Sequence, residues 1–185
     1  MKGYELPASL NIGGVDYSIR TDFRAVLDVL TAMNDPDLGA KEKFIVLIEI
    51  MYPDCKKIPE EHLCEAYEKA CEFIDCGQKD DGKQHPKTVD WEQDAAIIIP
   101  AVNGVAHTEI RALPYLHWWT FFGYFMEIRE SLFTSVLNIR QKKARGKRLE
   151  KWERDFYKEN KRIIDFERKD SDEVKKEKDG LMKWL

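Results

Sequence analysis

Residues 115–130, YLHWWTFFGYFMEIRE, set the tightest limit on how this chain folds. Wound as a helix, they put Leu116, Trp119, Phe122 and Gly123 on one side and Trp118, Phe121, Phe122 and Phe125 on the adjoining one. Tyr115 and Met126 widen the apolar arc further. A helix apolar over most of its circumference has to be surrounded by polypeptide. A chain of 185 residues suits one domain with a sizeable core, enough to bury one such helix centrally. Any part left over faces a partner, where Trp, Phe, Tyr and Met are enriched. The stretch therefore points to packing or binding rather than to chemistry.

The periodicity of the rest lays out what surrounds it. SLNIGGVDYSI holds two short alternating runs, 9–12 and 15–19, about Gly13 and Gly14, a pair suited to a tight hairpin turn. An isolated hairpin is marginal in water, so this one must lie on helices. Thr21 or Asp22 caps DFRAVLDVLTAM, in which Phe23, Val26, Leu27 and Leu30 recur at helical spacing. AKEKFIVLIEIMY gives a second helix, and PEEHLCEAYEKACEFID, opened by Pro59, a third. Stretch 76–88 has no apolar residue beyond its first and reads as a loop. Helix resumes at Thr88 or Asp90 with DWEQDAAIIIPAV, where Asp90, Glu92 and Asp94 sit at the dipole-favoured start and Pro100 kinks or ends it. NGVAHTEIRALP is then a connector, with Pro114 in the first turn of the aromatic helix. Past Glu130 the chain runs as one or two helices with Gly146 the weak point, and 170–185 reads as frayed helix or disordered tail. The expected class is mainly α: a compact helical domain, 1–143, with a short N-terminal β-hairpin, and a charged helical extension, 144–185.

Charge is unevenly spread. From residue 140 to 185 Lys and Arg outnumber Asp and Glu 17 to 11, so the first 139 residues carry −10 although the whole chain carries only −4. The run RQKKARGKRLEKWER, 140–154, holds eight positive and two negative residues. A solvated helical face is the common meaning of such a run, and contact with nucleic acid or an acidic protein the alternative. Interleaved Trp152, Phe156 and Tyr157 are what single-strand binders use, yet Leu149, Trp152, Phe156, Ile163 and Phe166 fall on one helical stripe, which favours packing on protein. Nucleic acid is therefore the minority reading.

Motifs for catalysis are scarce. Phosphate-loop, dinucleotide, nucleophile-elbow and zinc-protease patterns are all missing from the sequence. His117, beside the aromatic cluster, reads as a structural, hydrogen-bonded residue, because the sequence identifies neither a nucleophile nor an orienting carboxylate for it. Asp90 and Asp94, four apart, fall short of the six or more oxygens that a hard cation such as calcium takes. Cys55, Cys64, Cys71 and Cys76 form no CxxC pair and lack zinc-ligand spacing, so they read as free thiols of a reducing compartment. No cofactor, metal or membrane contact is expected: no apolar run approaches the ~20 residues of a membrane span, and MKGYELPASLNIGG has no apolar signal core.

In combination, three blocks carry a resemblance. LHWWTF at 116–121, preceded by VDWEQDAAII at 89–98 and followed by LNIRQKK at 137–143, resembles the bacteriophage gene-product-fifteen family. The opening at 6–24, a hairpin and then Thr-Asp-Phe-Arg entering the first helix, is similar to that family's start, and the match in order and spacing runs from 6 to 143. Segment AVNGVAHTEI departs from the aromatic and Ile-Asp pair usual there. The matching signature positions are Asp22, Phe23, Arg24, Trp91, Asp94, His117, Trp118, Trp119 and Arg140, and Phe122 joins them as a candidate protein contact. The resemblance implies a non-enzymatic tail assembly protein of a phage or prophage, in the cytoplasm of the bacterial host. As a tail assembly chaperone it would coat the tape-measure protein and recruit tail-tube subunits. It implies no catalytic residues. A structural tail or connector subunit is the alternative, and complementary charged halves fit a homo-oligomer.

Overall fold

The Gly13-Gly14 pair turns the chain back on itself with positive φ at both residues, 57° and 83°, the geometry of the hairpin turn whose twist matches paired strands. In the computed structural model, which describes residues 4–78 and 86–167, strand β1 (Ser9–Ile12) pairs antiparallel with β2 (Val15–Ser18), Ile12 opposite Val15. Leu10 and Ile12 point inward and are buried, whereas Val15 on β2 is exposed. The hairpin lies on helical structure through its turn: the Gly13 N–H donates to Glu65 at 3.0 Å.

Eight α-helices follow among the described residues: α1 (Phe23–Met33), α2 (Ala40–Met51), α3 (Leu63–Ile74), α4 (Ala95–Ala106), α5 (Trp118–Met126), α6 (Leu132–Ala144), α7 (Lys151–Glu159) and α8 (Lys161–Ile164). The architecture is mainly α, as the periodicity predicts. Asp22 caps α1 by accepting the Arg24 N–H, and Ser131 and Thr134 form a reciprocal capping box on α6. α1 packs on α2 and α5, α2 on α3, α5 on α4, α4 on α6, and α6 on α8. One core threads them all, including Val26 and Val29 of α1, Phe73 of α3, Val102 of α4, Trp118 and Phe121 of α5, Val136 and Ile139 of α6 and Ile164 of α8. The aromatic helix lies centrally, as its circumference requires.

Several local expectations are overturned. Helix does not resume at Thr88 or Asp90; residues 91–94 form a turn and α4 begins at Ala95. The Asp90 carboxylate accepts the N–H groups of Glu92 and Gln93 and its carbonyl the Asp94 N–H, so residues 90–94 close as one capped turn ahead of α4. Of the two effects expected of Pro100, ending the helix is overturned: α4 continues to Ala106. Proline's missing N–H frees the carbonyl of Ala96, and both residues lie on the exposed side, open to solvent. Part of the expected connector is therefore helix, closed by His107 in the left-handed region. Pro114 lies ahead of α5, whose cap is His117. Pro59 precedes a short 3-10 turn, Glu60–His62, rather than opening α3 directly. Past Glu130 the described residues form three helices instead of one or two: Gly146 breaks the chain at φ 63°, as predicted, and Asn160 breaks it again. The supposed single stripe from Leu149 to Phe166 is thereby split, and Trp152 is left 54 % exposed. The tail 170–185 and most of the loop 76–88 lie outside the described residues.

Candidate protein-interaction site

Sequence blocks 22–24 and 115–119 meet although more than ninety residues separate them. The Phe23 N–H donates to the Leu116 carbonyl at 2.9 Å and the Trp118 N–H to the Thr21 carbonyl at 2.7 Å, an isolated antiparallel bridge between Asp22 and His117. Asp22 binds across it: one oxygen caps Arg24, the other accepts the Leu116 N–H at 3.1 Å. Arg24 pairs with Asp22 and reaches on to the carbonyls of Arg111 and Leu113, so its fork ties the start of α1 to the chain entering α5. His117 is buried at 5 % exposure. Its Nδ1 accepts the Trp119 N–H at 3.0 Å, which leaves Nε2 protonated to donate to the Pro7 carbonyl at 3.0 Å. Both ring nitrogens are committed to backbone, the hydrogen-bonded role read from the sequence.

A second set closes the other side of the core. Arg140 of α6 and Asp94 form a buried bidentate pair, 2.6 and 2.8 Å, with side-chain exposures of 4 % and 0 %. Arg140 also donates to the carbonyls of Ile164, Ile163 and Thr88, and its guanidinium lies 4.1 Å from the Phe166 ring centre. Five donors in a planar fork are thus used on five acceptors, which lysine could not match. Trp91, three residues before Asp94, packs on Trp118 at 6.2 Å and Phe125 at 4.9 Å. The two sets converge on α5: Phe23 stacks on Phe121 at 4.8 Å, and Phe121 stacks on Trp118 at 5.5 Å. Asp22, Phe23, Arg24, Trp91, Asp94, His117, Trp118 and Arg140 therefore hold the aromatic helix in its seat.

What that seat leaves outward is the candidate site. Trp119 and Phe122 are half-buried and Met126 is 61 % exposed, at spacings of three and four along one face of α5. Trp119 donates its indole N–H to the Phe73 carbonyl at 2.9 Å and so is fixed flat rather than free. Gly123 lies between them with open space where a Cβ would be. Tyr115, 53 % exposed, continues the strip and is tied to Thr21. Large rigid rings, a methionine and a small residue make a surface able to receive apolar helix. Met126 and Gly123 escaped the sequence-level site; their 3–4 spacing with Trp119 and Phe122 was the signal.

Two concavities lie away from this strip. The cleft beside Phe166 is lined by Lys87, Arg140 and Lys143, each already paired with Asp90, Asp94 or Asp165. An open groove between α4 and the α5–α6 turn is lined by Pro100, Gly104, Val105 and Ile128. The four cysteines are free thiols, Cys64 exposed and the others half-buried. Burial pushes the Cys76 thiol up to about 11, with Asp75 adding to it and a Trp118 hydrogen bond opposing it; burial likewise raises Cys71. Among the described residues no group of three His, Cys, Asp or Glu side chains is placed to hold a metal ion, and no helix is long and apolar enough to cross a membrane.

Fold and surface together define a mainly helical scaffold whose buried polar residues serve its own architecture. The chain belongs to the Bacteriophage Gp15 protein family, whose model matches residues 4–166. That places it with the structural and morphogenetic proteins of bacteriophages. The match extends past Lys143 through α7 and α8, beyond the span the sequence blocks covered. No curated protein and no solved structure matches the chain.

Proposed function

We propose that this chain is a non-enzymatic tail assembly protein of a phage or prophage: a chaperone that binds the tape-measure protein in the cytoplasm of the bacterial host and brings tail-tube subunits to it. The single observation carrying this reading is the outward strip Trp119, Phe122, Gly123 and Met126 on a helix otherwise locked into the core. A chaperone for a long helical partner has to cover apolar helix and later release it. A strip of fixed rings with one flexible thioether suits helix-in-groove contact of moderate strength.

Co-expression with a helical fragment of the tape-measure protein encoded alongside it tests the reading. The fragment should stay soluble and co-purify with the wild-type chain and lose both properties with Met126→Lys, a change at an exposed position. Retained capture by that variant would count against the strip. Mass spectrometry of finished particles should lack the chain; its stoichiometric presence would instead make it a structural tail or connector subunit.

A further inference from the structure

Two opposite charge patterns on this chain are only partly paired within it. On α3 and the 3-10 turn before it, Glu61, Glu65, Glu68 and Glu72 recur at spacings of four, three and four, a single acidic ridge. Lys69 pairs with Glu72, Glu65 accepts the Gly13 N–H, and His62 lies 3.9 Å from Glu61 and 3.6 Å from Glu65, but Glu60, Glu61 and Glu68 have no Lys or Arg partner among the described residues. On the other flank, Arg145, Lys147, Arg148 and Lys151 are exposed and have no carboxylate partner among the described residues, unlike neighbouring Lys142 and Lys143, which pair with Glu153 and Asp165. Trp152 stands exposed beside them.

The two patches are held apart by the fold. α3 packs on β1 and α2, whereas α7 packs on α8, which lies on α6. They are also matched in reach: the ridge from Glu61 to Glu72 rises about 16 Å at helical pitch, and residues 145–151 span at most about 20 Å when extended. A charged patch whose complement lies elsewhere on the same molecule makes heterologous contacts between copies, which close into rings or run on as filaments.

We propose that this chain self-associates head to tail, the acidic α3 ridge of one copy receiving the basic segment 145–151 and Trp152 of the next. Protein is favoured over nucleic acid as the occupant because α7 interleaves Glu150, Asp155 and Glu159 with its cations, and the exposed Trp152 already gives its indole N–H to Glu150 at 3.1 Å. Those carboxylates repel phosphate backbone along its whole length, whereas the α3 ridge is short enough to meet the basic segment 145–151 without covering Asp155 and Glu159. Such association follows from charge placement and does not depend on a role in tail assembly.

Analytical ultracentrifugation of the full chain at about 100 µM, in low salt and in about 0.5 M salt, tests it, because screening shortens to a few ångströms at the higher salt. The average mass should rise with concentration at low salt and return to the monomer at high salt. Glu61→Lys with Glu68→Lys, or Lys147→Glu with Lys151→Glu, should each weaken association by about tenfold or more. Mixing the two reversed variants should restore it, since each then offers the complement of the other; that rescue also shows both variants to be folded. A monomer under every condition would overturn the proposal. So would association untouched by either reversal, or salt-sensitive binding to single-stranded DNA without any self-association.

Discussion

Arg140→Met is the sharpest probe of the architecture around the aromatic helix. It removes the bidentate pair with Asp94 and three bonds to the carbonyls of Ile163, Ile164 and Thr88, and leaves the Asp94 carboxylate at 1 % exposure with no cation, only the Asp90 N–H donating to it. Breaking one side of a buried pair costs about 3–5 kcal/mol, mostly because the surviving charge is uncompensated. Against a total stability of about 5–15 kcal/mol that is a large fraction. For a chain of this length it corresponds to a fall in Tm of about 6–20 °C. Urea unfolding followed by tryptophan fluorescence reads it directly, because Trp91 and Trp118 lie in the affected core. Adding Asp94→Leu to Arg140→Met removes the stranded charge and should return part of the loss, though not all, since the three carbonyls stay without their donor. A loss below about 1 kcal/mol for Arg140→Met would mean that the pair behaves like a surface ion pair, and the reasoning would fail.

Other consequences are as direct. Gly13→Ala should destabilise by more than Gly14→Ala: both require a left-handed residue at a cost of about 1–2 kcal/mol, but at Gly13 the new methyl also meets the His62 ring at 2.6–2.8 Å, whereas at Gly14 nothing lies within 4 Å; thermal melts of the two variants decide it. Trp118→Ala, with its ring 1 % exposed and its N–H on Ile74 at 2.8 Å, should cost about 3–5 kcal/mol, while Trp119→Ala should cost the fold less and partner binding more; equal losses of stability would refute the outward assignment. Acid should weaken the fold. The Asp90 and Asp165 carboxyls are raised by burial but held below their usual range overall by bonds from Lys87 and its turn and from Lys143 and Tyr157; the Lys142 and Glu150 bonds depress Glu153, and Arg111 holds Glu109 at about 2. With folded values depressed, the unfolded chain binds more protons, so Tm should stay level down to about pH 5 and then fall through the carboxylate range; a Tm unchanged at pH 3 would contradict it. A thiol reagent should modify exposed Cys64 first and Cys71 and Cys76 slowly, because burial raises both of the latter.

Much of this protein is written in local patterns. The hairpin at Gly13-Gly14, the cap at Asp22, helices α1 and α2, and the central place of residues 115–126 all follow from periods of two and 3.6, turn chemistry and capping, which depend on residues a few positions apart. The family is likewise legible, because it lies in blocks of side chains in order. The start of α4 at Ala95 and its continuation past Pro100 to Ala106 were not, since periodicity does not show which side of that segment faces water. Only tertiary structure brings Asp22 to Leu116 or Arg140 to Asp94 and Ile164, contacts that carry no signal in spacing. The sequence by itself determined that the aromatic rings had to be enclosed. Which rings are core and which stay partly exposed was decided by the packing of α1, α3, α4 and α6 around them, because a helix has more apolar arc here than one domain's neighbours can cover.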